Sequence, residues 1–185
     1  MRKLDIMFDL DGTLVDLMQK WCYYHRNRYD TDYTVEDFAP GGRLSYGDLG
    51  EDWIKFLRIP GFHADLPWLD LDAPNAIRRM REQGHTILVC TAPMTWEAPR
   101  DKYSWIHTHM RIPGLIESMD AVFINRDKTR IRADVLVDDI PSYFGGQPYN
   151  LLMDQPWNQG HRGIPRCRNM ADVEEAIQAI SEGAV

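Results

Sequence analysis

The chain has 185 residues, 44% hydrophobic and 26% charged, the balance of a globular protein of about one domain with a modest appendage rather than a disordered, fibrous or membrane-spanning chain. Its net charge of −7 sets up a bulk field that repels polyanions, so duplex nucleic acid is not an expected partner, although a small anion could be held where local cations or a metal override that field. Cys22, Cys90 and Cys167 form no close pair, and Asp5 and Asp9 interrupt the apolar start, so no disulfide framework, secretory leader or membrane partner is expected and a reducing, cytoplasmic setting is.

In chain order, short aliphatic runs predict strands at 4–8, 86–90, 121–124, 134–137 and 149–153, each apolar enough to be buried on both faces. Between the first two, residues 74–84 predict a helix, with Ile77 and Met80 at helical spacing and Gly84 as its stop signal. Further helices are predicted at 100–110 and at 172–181, the latter with Val173, Ala176, Ile177 and Ile180 on one face. This alternation predicts an open, mostly parallel α/β sheet flanked by helices, with ligands outside the carboxyl ends of the strands.

Residues 16–72 break the alternation, carrying Gly41, Gly42, Gly47, Gly50, Pro60, Gly61 and Pro67 among short helical pieces. The stretch reads as a small, mainly helical insertion after the first strand, leaving 1–15 and 73–185 as the α/β core. It holds 11 of the 20 aromatic residues, most of which its own core would use. One or two remain to face a ligand. Trp53, Phe56 and Phe62 are the first candidates, because they lie where the insertion returns to the core.

The first predicted strand runs into Asp9-Leu10-Asp11-Gly12-Thr13. A fixed D-x-D-G-T arises by chance at roughly 10⁻⁵ per position. Two carboxylates at one strand end raise each other's proton affinity unless a positive charge lies between them. A second pair, Asp138-Asp139, follows the fourth predicted strand, where the same sheet edge can bring it beside the first. Four converging carboxylates call for a divalent cation, and hard oxygen ligands favour Mg²⁺ over zinc. Thr91 and Ala92 after the second strand offer a hydroxyl and an amide, and Arg126-Asp127-Lys128 after the third offers an ammonium. Hydroxyl, amide and ammonium suit the oxygens of a phosphoryl group. The loop after the fifth strand, ending in His161 and Arg162, leaves toward the same crevice. His107 and His109 stand two apart on a predicted helix and read as surface imidazoles.

This ordered set resembles the haloacid dehalogenase (HAD) superfamily of phosphotransferases. Within it the chain is similar to the 5′(3′)-deoxyribonucleotidases, through Cys90-Thr91-Ala92-Pro93, Lys102-Tyr103-Ser104-Trp105, Arg126-Asp127-Lys128-Thr129 and the run from Ala133 to Asp139. Ala92 stands where a serine is common, and 16–72 matches only loosely. The resemblance implies a HAD-like Rossmannoid sheet with 16–72 as a cap, and Mg²⁺-dependent hydrolysis of a deoxyribonucleoside monophosphate. Asp9 would be the nucleophile and Asp11 the general acid and base. Thr91, Ala92 and Lys128 would hold phosphate. Asp9, the Asp11 carbonyl and Asp138 would hold the metal, with Asp139 orienting or acting through water. Arg126 joins the cap aromatics as a substrate candidate. A phosphatase for another small ester or a polynucleotide 3′ end, and a catalytically silent nucleotide-binding protein, stay open as alternatives. So do the preferred base and whether the chain forms a homodimer.

Overall fold

The computed structural model describes residues 1–45, 50–110 and 119–184. Six strands, β1 (Asp5–Phe8), β2 (Thr86–Thr91), β3 (Met119–Ile124), β4 (Val135–Asp138), β5 (Tyr149–Met153) and β6 (Arg166–Cys167), form one sheet in the order β3-β2-β1-β4-β5-β6. Every neighbouring pair is parallel. β1 is central, with Phe8 registered on Val89 of β2 and on Val137 of β4. The chain first builds outward through β2 and β3, then crosses back to place β4 on the other side of β1. That reversal opens a crevice at the carboxyl ends of the central strands.

The apolar runs behave as strands buried on both faces: Ile6, Met7 and Phe8 are inaccessible, as are Val135, Leu136 and Val137. Helices α3 (Ala73–Glu82), α4 (Ala98–His109) and α5 (Met170–Glu182) follow the predicted segments within two residues at either end. In α3 the buried positions Ala73, Ala76, Ile77 and Met80 recur at helical spacing. β6, two residues long, is too short to leave a periodic signal and was not foreseen from the sequence.

The segment between β1 and α3 carries α1 (Leu17–Tyr29), a single turn at Val35–Phe38 and α2 (Gly50–Leu57). It leaves and re-enters at one place. Asp16 N–H donates to the Pro67 carbonyl at 2.9 Å and Leu69 N–H to the Leu14 carbonyl at 2.9 Å, pinning the two crossing strands side by side. Asp16 also caps α1, its carboxylate accepting from Gln19 N–H at 2.8 Å. Trp21, fully enclosed, is met by Phe38, Trp53 and Phe56 at ring separations of 5.8, 5.6 and 6.2 Å. These rings join the apolar side chains of the sheet in one connected core. At the return, the Trp105 indole of α4 donates to the Leu66 carbonyl at 2.7 Å and packs on Trp68. Tyr46, one of the insertion's aromatics, lies outside the described residues. Among the described residues no helix is long and apolar enough to cross a membrane.

Candidate active site

β1 ends at Phe8 and delivers Asp9 directly over the crevice, its N–H donating to the Val137 carbonyl at 2.9 Å. The next turn folds tightly, Leu14 and Val15 N–H both donating to the Leu10 carbonyl at 2.9 Å. Gly12 sits there at φ +74°, a conformation that costs any L side chain. A Cβ at that position would also lie 2.6 Å from Asp139 Oδ2, so only glycine lets the two acidic segments approach so closely.

Asp9, Asp138 and Asp139 each offer an oxygen within 4.8 Å of the others, and all three are buried. The Lys128 ammonium, fully enclosed, donates to Asp9 Oδ1 and, at 2.5 Å, to Asp138 Oδ2. Burial works against its charge, but the two carboxylates outweigh burial and raise its pKa above the ordinary lysine value. For the carboxylates the balance runs the other way. Burial raises Asp9, with Lys128 opposing and Asp11 adding. Burial and then Asp9 push Asp138 up to about 7, and burial with Asp138 and Asp9 holds Asp139 well above the usual range. One ammonium does not neutralise this cluster. Asp139 Oδ1 is enclosed with no hydrogen-bond partner, while its Oδ2 accepts from the Trp157 indole at 2.8 Å. An unpaired buried carboxylate oxygen among hard oxygen donors suits a divalent cation such as Mg²⁺.

On the β2 side, Thr91 ends the strand and is buried, and its hydroxyl accepts from the Lys102 ammonium at 2.7 Å. Lys102 also donates to Asp11 Oδ2. Ala92, Asp9 and Asp11 line a cavity of about 240 Å³ whose other walls include Leu17, Met18, Trp53, Met94, Ile140, Tyr143 and Trp157. The structure therefore brings together Asp9, Asp11, Thr91, Ala92, Lys128, Asp138 and Asp139.

It does not bring in all the substrate candidates. Trp53 lines the cavity. Phe56 packs on Trp21 and Tyr24, and Phe62 on Tyr24 with the Lys20 ammonium 4.9 Å over its ring. For these two, the expectation of base stacking is corrected: α2 and the turn after it direct both rings into the shared core. Arg126 is exposed. His161 and Arg162 are also exposed. His109 stacks on Trp105 at 4.9 Å, away from the acids.

Several supporting groups were not foreseen. Gln155 donates to the Gly12 carbonyl at 2.8 Å, Asn158 to the Asp139 carbonyl at 2.9 Å, and Gln147 to the Lys128 carbonyl at 3.0 Å. Tyr143 places its ring 4.7 Å from the Lys128 ammonium. Lys102 alone carried a readable signal, a lysine among Ala98, Trp105 and Ile106 on the buried face of α4.

With its relatives in sequence, the fold makes the chain a phosphoric monoester hydrolase of the HAD superfamily. Solved structures share the fold. One is a HAD-superfamily hydrolase from Ehrlichia chaffeensis, with TM-score 0.55 and 14% identity over 97% of this chain and 98% of that one. Another is the D,D-heptose 1,7-bisphosphate phosphatase of B. bronchiseptica, complexed with magnesium and phosphate, with TM-score 0.52 and 15% identity over 97% and 99%. More particularly, the chain belongs to the family described as 5′ nucleotidase, deoxy (pyrimidine), cytosolic type C protein, which matches residues 2–182. It is 31% identical over 159 residues to the mitochondrial 5′(3′)-deoxyribonucleotidase of Mus musculus, spanning 80% of this chain and 70% of that protein. It is 27% identical over 148 residues to the cytosolic type of Homo sapiens, spanning 75% and 71%.

Proposed function

We propose that this enzyme hydrolyses deoxyribonucleoside monophosphates to the deoxyribonucleoside and phosphate in the presence of Mg²⁺. The observation that carries the reading is the nucleophile's setting: Asp9 is buried at the end of β1, held by Lys128, and lines a cavity together with Asp11, Ala92 and the apolar side chains of Leu17, Met18, Trp53 and Ile140. Asp9 attacks phosphorus and forms an aspartyl-phosphate, dividing the displacement into two easier steps. Asp11 protonates the leaving sugar oxygen, then as a carboxylate takes a proton from the water that cleaves the acyl phosphate. Thr91, the Ala92 amide, Lys128 and Lys102 bind the phosphoryl oxygens. The Asp9 and Asp138 carboxylates and the Asp11 carbonyl would hold Mg²⁺, with Asp139 orienting its water. When bound, the ion offsets the charge that develops on the phosphoryl oxygens. Residues 16–72 act as a cap over the core formed by 1–15 and 73–185. Leu17, Met18, Trp53, Met94 and Ile140 surround the base and sugar, and such walls favour a nucleoside over a polar sugar phosphate.

A panel of ribo and deoxy nucleotides, with 5′ and 3′ phosphates, assayed with Mg²⁺ and with chelator, tests the reading. Metal-dependent phosphate release, fastest on deoxyribonucleotides, is expected, and Asp9→Asn is expected to remove it while the protein stays folded. Near-normal turnover by Asp9→Asn would rule out the covalent route.

A further inference from the structure

The chain leaving β5 folds into a single turn, Pro156–Asn158, whose side chains address the two acidic motifs. Gln155, just before it, donates to the Gly12 carbonyl at 2.8 Å, and Asn158 donates to the carbonyls of Asp139 and Met153 at 2.9 and 2.7 Å. Arg166 of β6 holds the turn in its own place, reaching the Asn158 side-chain oxygen at 2.6 Å and the Asn158 carbonyl at 3.0 Å. The turn also packs against the insertion's turn at Val35–Phe38. It is a platform fixed to both acidic segments, to the sheet edge and to the insertion.

Trp157 stands on this platform, half-buried, and belongs to two places at once. It lines the cavity with Asp9, Asp11, Gly12 and Asp139, and its indole N–H donates to Asp139 Oδ2 at 2.8 Å. Core packing uses the area of an indole and leaves its N–H to find any acceptor. Here the acceptor is a carboxylate of the acidic cluster, and the other oxygen of that carboxylate, Oδ1, is enclosed without a partner. Asn158 fixes the main chain of Asp139 and Trp157 fixes its side chain, so neighbouring residues hold the acid from both ends. With Oδ2 taken, Oδ1 is left for whatever the cluster binds. A phenylalanine would pack as well and leave both oxygens unheld.

We propose that Trp157 is a positioning residue shared by the metal site and the substrate cavity: its N–H orients Asp139 for a divalent cation, and its ring forms part of the wall against the nucleoside. The inference rests on reading the cluster of Asp9, Asp138 and Asp139 as the Mg²⁺ site. Trp157 acts on the ion only through Asp139. Groups that orient a metal-site carboxylate in this way govern metal affinity by about 10- to 100-fold.

Two substitutions separate the two roles. Trp157→Phe keeps an aromatic wall and deletes the donor, whereas Trp157→His keeps an N–H at the ring position of the indole nitrogen and deletes the benzo ring. Mg²⁺ affinity is measured by calorimetry without substrate, and kcat and KM at saturating Mg²⁺ on a deoxyribonucleotide and on a small aryl phosphate, with the thermal midpoint as the check of folding. Trp157→Phe is expected to weaken Mg²⁺ binding about 10-fold, with the nucleotide KM within about twofold of the wild type. Trp157→His is expected to bind Mg²⁺ within about threefold of the wild type, to raise the nucleotide KM about 10-fold, and to leave aryl phosphate hydrolysis unchanged. In an Asp139→Ala background, Trp157→Phe is expected to cost no further Mg²⁺ affinity. Wild-type Mg²⁺ affinity in Trp157→Phe, equal losses in the phenylalanine and histidine variants, or a further loss in the Asp139→Ala background overturns the positioning role. An unchanged nucleotide KM in Trp157→His overturns the wall. A wild type that binds no Mg²⁺ would instead overturn the reading of the cluster as a metal site, and this assignment with it.

Discussion

Lys102 occupies the face of α4 that Ala98, Trp105 and Ile106 bury, a position where an ammonium is costly unless its charge is met. Asp11 and the Thr91 hydroxyl meet it, which ties the proposed acid and base to a proposed phosphate-binding group through one side chain. Replacing Lys102 by methionine keeps much of the stem volume and removes the charge. A charge-assisted hydrogen bond is worth about 1.5–3 kcal/mol, so kcat/KM is expected to fall by about 10- to 100-fold. Inhibition by inorganic phosphate should weaken in parallel. Unchanged phosphate inhibition in a folded variant would show that Lys102 does not bind the phosphoryl group. The contrast with Lys128 explains what was readable. Asp9, Thr91, Lys128 and Asp138 announce themselves because each ends or follows an apolar strand, and parallel strands send their carboxyl ends to one edge. Lys102 reaches that edge from a helix and Trp157 from a single turn, where no strand end marks the side that faces inward.

The turn between β1 and α1 shows why the motif needs its glycine. The chain must reverse within Leu10–Val15, present Asp11 to Lys102, and leave room for Asp139 against Gly12. Gly12→Ala asks for a left-handed conformation and drives a Cβ into a buried carboxylate that Trp157 holds in place. A loss of about 1–3 kcal/mol is expected from the backbone strain, read by denaturant midpoint, together with weakened Mg²⁺ binding by calorimetry. A variant with wild-type stability and metal affinity would mean that Asp139 can move aside freely. Elements were legible in proportion to their length. The five apolar runs and three amphipathic stretches became strands and helices, whereas β6, with Arg166 and Cys167 alone, did not register. The insertion was visible by composition, but which of its aromatics face the cavity was not. Trp53 and Phe56 are three apart on α2, yet Trp53 reaches the cavity wall and Phe56 only the core, a distinction set by how α2 docks on α1.

At the scale of the whole molecule, the sheet concentrates negative charge where the chain carries a surplus of it. Burial raises the pKa values of Asp9, Asp138 and Asp139, so in the metal-free protein each holds a proton to higher pH than a free carboxyl does. The sign of the pH dependence follows. For Asp138, raised from 3.8 to about 7, the stabilising contribution is fully present below the unfolded value and is lost as pH rises through the folded one. His63 acts in the opposite sense over part of this window, its depressed pKa removing stability as pH falls from 6.5 toward about 4. The term belonging to Asp138 is therefore best isolated as the difference between the wild type and Asp138→Asn. In chelator, that difference is expected to turn against the wild type between pH 4 and 7. With Mg²⁺ at 100-fold excess over its dissociation constant, binding adds about 2.7 kcal/mol, a rise of roughly 5–10 °C in the wild-type melting temperature for a chain of this size. Asp138→Asn should lose most of that rise, and a change at the remote Asp172, paired with Arg168 on the surface, should not. Equal Mg²⁺ stabilisation of the wild type and Asp138→Asn would place the metal elsewhere. A pH-independent difference in chelator would mean that Lys128 already satisfies the cluster, leaving no charge for a cation to offset.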